Sequence, residues 1–220
     1  MICLIIIYKE NLYFFIEMSD LLMVKKTQLE LIRDRGYDIT EEEWLLNDIE
    51  DKNYRKKFKK LTLNQKYQKD MVAKESIYVL YLMPGDGLAT VMKAFKKEMV
   101  GIKSGIIIGD PDQLKKLNQG GYEEYLDPLK QIQFFQYDTL TYNVSKHILS
   151  PSYIAIDKSL IMPSLVQLNQ LSVMYANDPA VKYYGWLPGQ VVKVIDDNIY
   201  TDLLPDYLIN YCIVSSKMLK

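Results

Sequence analysis

The sequence predicts a mixed fold, α/β in its front part and α+β at its end. Helices packed on a sheet come first, followed by a small sheet-and-helix unit. Three observations carry this. Between Ile77 and Tyr137 the chain alternates strand, helix, strand, helix, strand, the pattern of helices layered on a sheet. Gly105–Ile108 is wholly apolar, as expected of a strand covered on both faces. Ala176–Ile195 reads as a short helix, a turn and a strand.

The elements follow in order. Ile2–Tyr8 is apolar but too short to span a bilayer, and it lacks a basic leader and a small-residue cleavage site. Residues 1–17 are either an edge strand or tail, or an extension ahead of a start at Met18; the second reading is preferred, because Met18-Ser19-Asp20 opens a convincing helix. That helix runs through Leu22, Leu29 and Ile32 and ends at Gly36. Thr40-Glu41-Glu42-Glu43 reads as a capping box, with Trp44, Leu45 and Ile49 as the next apolar face. Residues 52–69 carry Lys52, Arg55, Lys56, Lys57, Lys59, Lys60, Lys66 and Lys69 among Tyr54, Phe58 and Tyr67. This is either a phosphate-facing strip or, preferably, a solvated helix face with Phe58 and Leu61 inward.

Ile77–Met83 is a strand ending at the Pro84–Gly87 turn. Leu88–Met99 is a helix with Val91, Met92 and Phe95 on one face, and Asp110-Pro111 opens another whose buried side is Leu114 and Leu117. Ile132–Tyr137 is the next strand, and a second unit begins near Tyr142. Asp157–Leu171 contains a helix limited by Pro163, and Leu203–Val214 supplies the final strand. In the corner between them, Asp178 caps a helix, Pro179 takes its first position, Gly185 ends it in the left-handed conformation, and Pro188-Gly189 suits a type II turn.

Composition excludes several function classes. The chain has 220 residues, 49% hydrophobic and 25% charged, with net charge −1, so no global charge draws it to nucleic acid or to a membrane. Cys3 and Cys212 give neither a disulfide framework nor metal-ligand spacing, which suits a reducing compartment. His147 is the one histidine and reads as a hydrogen-bonded structural residue.

The corner also carries a resemblance. Asp178, Pro179, Tyr183, Tyr184, Gly185, Gly189, Val191, Val192 and Lys193 match, in type and spacing, the signature of the fifth-subunit family of eukaryotic DNA-dependent RNA polymerases and of its archaeal counterpart. Asp34–Thr40 resembles the turn ending that family's first helix, and His147, Leu149 and Pro151 resemble its His-x-Leu-x-Pro. The likeness covers nearly everything after residue 18, dense at the end and sparse at the front. It departs at Asp196–Tyr200, where acidic residues replace a basic loop, and at Pro163, which shortens a helix; both suggest a divergent member, such as one from a large DNA virus.

The resemblance implies a jaw domain over residues 18–141, with a nuclease-like three-layer α/β fold, and an assembly domain over 142–220. It implies a non-catalytic polymerase subunit acting in transcription, in the nucleus, or in host cytoplasm or virion if viral. The assembly domain would dock on the largest subunit through Asp178, Pro179, Tyr183, Tyr184, Gly185, Gly189, Val191 and Lys193. The jaw would lie near downstream duplex DNA, with Pro111 nearest to it. Other polymerase subunits are the expected partners; no cofactor, metal, membrane or small-molecule substrate is expected. A free-standing nucleic-acid-binding protein is the alternative, resting on residues 52–69.

A restriction-type nuclease is the enzymatic rival. Its site needs Pro-Asp followed by Asp/Glu-x-Lys, so that two carboxylates bind a divalent ion and Lys assists the attacking water. Pro111-Asp112 offers the first half, but Glu123, Glu124, Asp127 and Asp138 are followed two positions on by Tyr125, Leu126, Leu129 and Leu140. The site cannot be assembled in that order, and Asp112 reads as a first-turn helix acid. Gly185→Val is expected to disrupt assembly by forbidding the left-handed turn; unchanged incorporation into a polymerase would contradict it.

Overall fold

Helix α1 (Met18–Asp34) is the centre of the molecule. A computed structural model describes residues 18–47, 62–69, 75–119, 121–122, 125–157, 171–195 and 209–216. The sequence expects one apolar face for α1, yet Val24, Lys25, Thr27, Gln28, Leu29, Glu30, Leu31 and Ile32 are all at most 3% exposed. A helix enclosed on most sides must find partners for its buried polar side chains. Lys25 Nζ donates to the Tyr67 hydroxyl at 2.7 Å and to the Thr62 carbonyl at 3.1 Å, and it lies 3.3 Å from Glu42 Oε2. Tyr67 in turn donates to Glu42 at 2.9 Å.

These bonds explain two departures from expectation. Thr40–Glu42 is a 3-10 turn before α2 (Trp44–Asn47), and no capping box forms. Asp38 Oδ1 accepts the Thr40 N–H at 2.9 Å instead, while Glu42 turns inward to Lys25. Within the 52–69 strip, residues 65–68 form a strand and not a helix: β1 (Gln65–Gln68) pairs antiparallel with β2 (Ser76–Tyr81). Tyr67 points into the core and its neighbours outward, a polar edge strand. Residues 52–61, Ile49 and the expected helix within 157–171 lie largely or wholly outside the described residues.

The rest of the first sheet follows the expected alternation. β2, α3 (Leu88–Glu98), β3 (Ser104–Gly109), α4 (Pro111–Gln119) and β4 (Gln131–Gln136) give sheet order β1-β2-β3-β4, with β2, β3 and β4 parallel. Ile77, Val79, Tyr81, Ile106 and Ile108 face α1. Leu80 and Ile107 face the other way, onto Met92, Phe95, Leu114 and Leu117 of α3 and α4. Both crossover helices share one face because neighbouring parallel strands are joined in one direction with one handedness. The result is three layers, helix, sheet and helices.

A second sheet has order β5-β7-β8-β6: β5 (Ser152–Ile156), β6 (Ser172–Tyr175), β7 (Val191–Ile195) and β8 (Ile209–Ser215). Its β6–β8 pair is parallel and the others antiparallel. The short strands β5 and β6 are not evident from the sequence. Helix α5 (Pro179–Tyr184) packs on one face, where Val181, Val192 and Val214 form a buried cluster among the described residues.

Lys25 generates a test. Burial pulls its ammonium down to about 8 from 10.5, against the opposing pull of Glu42. The unfolded chain therefore binds more protons between those values, so this group's contribution to stability rises with pH across that window. Lys25→Met should cost about 3 kcal/mol by stranding Glu42, and should remove that pH dependence. Urea titrations should show most of the loss recovered in Lys25→Met/Glu42→Met/Tyr67→Phe.

Candidate functional site

The corner around α5 forms as its residues dictate. Asp178 Oδ1 accepts the Ala180 N–H at 2.8 Å, and Pro179 sits at the start of the helix. Gly185 has φ 70° and ψ 29°. Its N–H reaches the Lys182 carbonyl at 3.2 Å, and the Trp186 N–H reaches Val181 at 3.1 Å. This pair of bonds is a Schellman ending. Gly189, with φ 88°, completes the next turn; Gln190 N–H bonds the Leu187 carbonyl at 3.0 Å, and Gly189 N–H ties the turn to Val214 of β8 at 2.7 Å.

The Schellman ending leaves the Tyr183 carbonyl without an intrahelical donor. Arg35, one residue beyond α1, supplies it. Its Nε donates to Tyr183 O at 2.8 Å; its Nη2 donates to Lys182 O at 2.6 Å and to Gln133 Oε1 on β4 at 2.7 Å. Cations are favourable at a helix carboxyl end. Burial lowers the guanidinium to about 10, so it stays charged at neutral pH. A Cβ on Gly185 would stand 2.9 Å from Arg35 Cζ. Glycine is thus required there twice, by backbone conformation and by the guanidinium beside it.

A second set of bonds joins the same helices. Tyr183 is buried and donates to Asp34 Oδ2 at 2.7 Å. Asn143 Nδ2 donates to the Tyr183 hydroxyl at 2.9 Å and to Glu30 Oε2 at 2.6 Å. Lys146 pairs with Glu30 at 2.5 Å. Burial and the bond to Asp34 push the Tyr183 phenol well above its ordinary value.

The signature residues divide accordingly. Tyr183 and Gly185 are turned to the chain's own α1 end. Tyr184 is half-buried; its ring stacks on Trp186 at 4.7 Å with Tyr153 edge-on to Trp186 at 6.0 Å. Pro179 is exposed and Asp178 half-buried. Val191 is fully buried and Lys193 half-buried; both alternate with Val192 and Val194, which pack towards α5, so they occupy the opposite sheet face. Pro111 is exposed at the start of α4, in the first sheet's layer. Asp112 is exposed beside it. His147 accepts the Leu149 N–H at 3.2 Å.

A cleft of 200 Å³ opens between Val144–Ser150 and α5, with Ser145, Tyr153, Asp178 and Tyr184 in its wall. The turn forming one side carries Ile148 and Leu149, 81% and 71% exposed. Ile154, Val173, Leu187 and Tyr142 are also exposed, so most of the large exposed apolar side chains among the described residues lie in this half.

Comparison with known proteins points to one family. Residues 142–202 match the family model of the RNA polymerase Rpb5 C-terminal domain. The DNA-directed RNA polymerases IV and V subunit 5B of Arabidopsis thaliana is 26% identical over 205 residues, covering 88% of both chains. Over residues 142–202 the chain is similar to the Rpb5 family. Two further Arabidopsis relatives agree: DNA-directed RNA polymerase subunit 5-like protein 1, 28% identical over 81% of this chain and 89% of its own, and DNA-directed RNA polymerase V subunit 5C, 23% identical over 81% and 78%. The chain holds Arg35, Glu30, Asn143 and Lys146 at its junction, none of which the signature contains. The one sequence cue was the Arg-Gly-Tyr turn, Arg35–Tyr37.

Gly185→Ala should cost about 2 to 3 kcal/mol, from left-handed strain plus the displaced guanidinium. In an Arg35→Ala background the cost should fall to about 1 kcal/mol. Strictly additive costs in a denaturation double-mutant cycle would contradict the contact.

Proposed function

We propose that this chain is a non-catalytic subunit of a multisubunit DNA-directed RNA polymerase, acting in transcription in the nucleus while other subunits hold the active site. Residues 142–220 dock on the largest subunit, and residues 18–141 form a jaw near downstream duplex DNA. The observation that carries the docking is the apolar surface of the second half: Ile148, Leu149, Ile154 and Leu187 are exposed. Such a surface is what a permanent partner covers. Tyr183 and Gly185 serve the dock indirectly, by shaping the corner. Tyr184, Pro179 and the cleft beside Asp178 offer the contact itself, with aromatic anchors suited to an interface core.

The jaw's part is positional. Pro111 stands at the carboxyl end of the first sheet, between Asp110 and Asp112, with Asp138 near Asp110. Burial, Asp138 and Asp112 hold the Asp110 carboxyl above its ordinary value. An acidic edge repels phosphates, so the surface would border the duplex by shape and would not grip it.

The test is incorporation. Ile148→Glu/Leu149→Glu alters only exposed side chains, so the melting temperature of the purified chain should change little. Recovery of the variant with tagged largest subunit should fall at least tenfold. Undiminished recovery would refute docking through this face.

A further inference from the structure

The two sheets share no strand, yet one guanidinium touches elements of both. Arg35 Nε and Nη2 hold the carboxyl end of α5, and Nη2 also holds Gln133 on β4. We propose that Arg35 is a positioning residue that fixes the angle between the first and second sheets, so that the chain moves as one lever and not as two units on a hinge.

The geometry favours this over simple adhesion. Apolar contact between α1 and Tyr183 resists separation but is non-directional, and it tolerates sliding or rotation. Hydrogen bonds from a planar fork to three acceptors on two elements weaken steeply with angle, so only one orientation satisfies all of them. All three acceptors are neutral, two carbonyls and one amide, so the bond set is not a charge pair that could re-form elsewhere. The Glu30–Asn143–Tyr183–Asp34 chain runs beside it and adds a second point of attachment. Two separated points define a direction where one would allow a swivel. Gly185 completes the device, since any side chain there would strike the guanidinium. The proposal concerns the chain alone and holds whatever its partner.

The test is a distance between spin labels in the full chain. Labels at Lys115→Cys on α4 and Val173→Cys on β6, both exposed, report the two halves in a Cys3→Ser/Cys212→Ala background. With Arg35 present, electron–electron double resonance should give one narrow distance distribution. Arg35→Ala should broaden it at least twofold while circular dichroism stays unchanged. Arg35→Lys keeps the charge and stem but cannot reach three acceptors, so it should broaden the distribution too. It also decides the matter if the alanine variant fails to fold. A residue needed only for stability would lower the melting temperature in both variants and leave the width unaltered. That outcome, a narrow distribution in a folded Arg35→Lys chain, would overturn the proposal.

Discussion

A helix enclosed on most sides cannot leave its polar groups to water. From Val24 to Ile32 every residue of α1 but Lys26 is buried, and among them are Lys25, Gln28 and Glu30. Leaving a buried charge unpaired costs several kcal/mol, a large share of a domain's whole stability. Lys25 and Glu30 therefore each dictate a neighbour, while Gln28 accepts from the Tyr81 hydroxyl at 3.3 Å and its Nε2 has no partner among the described residues. Lys25 draws Glu42 and Tyr67 inward, which places the 3-10 turn and the edge strand. Glu30 draws Asn143 and Lys146, which places the start of the second half. Arg35, at the end of the same element, draws α5. The architecture is organised by the need to satisfy one helix.

This gives the signature corner an unexpected role. Its glycine and first tyrosine meet the chain's own amino-terminal part, and its second tyrosine joins an aromatic ledge with Trp186 and Tyr153. The second half also shows apolar side chains at Ile148, Leu149, Ile154 and Leu187, beyond the cover that α1 provides.

Much of the fold was legible in the sequence because it is local. The strand–helix alternation, the apolar β3, the cap at Asp178, the left-handed Gly185 and the Pro188-Gly189 turn all follow from residue type and spacing. What was hidden is non-local. Lys25 and Glu30 look like the solvated side of an ordinary helix, and only the packed molecule shows them enclosed. Thr40 and Glu43 look like a capping box, but Glu42's pairing with Lys25 gives that segment another conformation. Gln65–Gln68 has a single apolar-faced residue, Tyr67, too little to announce a strand. At the candidate site, the turn could be read from its own residues, while its cap, Arg35, lies 148 positions from Tyr183 in the chain. A spacing motif carries no information about such a contact.

The central claim is that this polypeptide is a fixed part of a larger polymerase. Its most direct test is stoichiometry. Polymerase isolated from the native source through its largest subunit, then weighed intact by native mass spectrometry, should contain this chain in about one copy per complex after a high-salt wash. Complexes of full subunit mass that lack it, or hold it in small and variable amounts, would contradict the account.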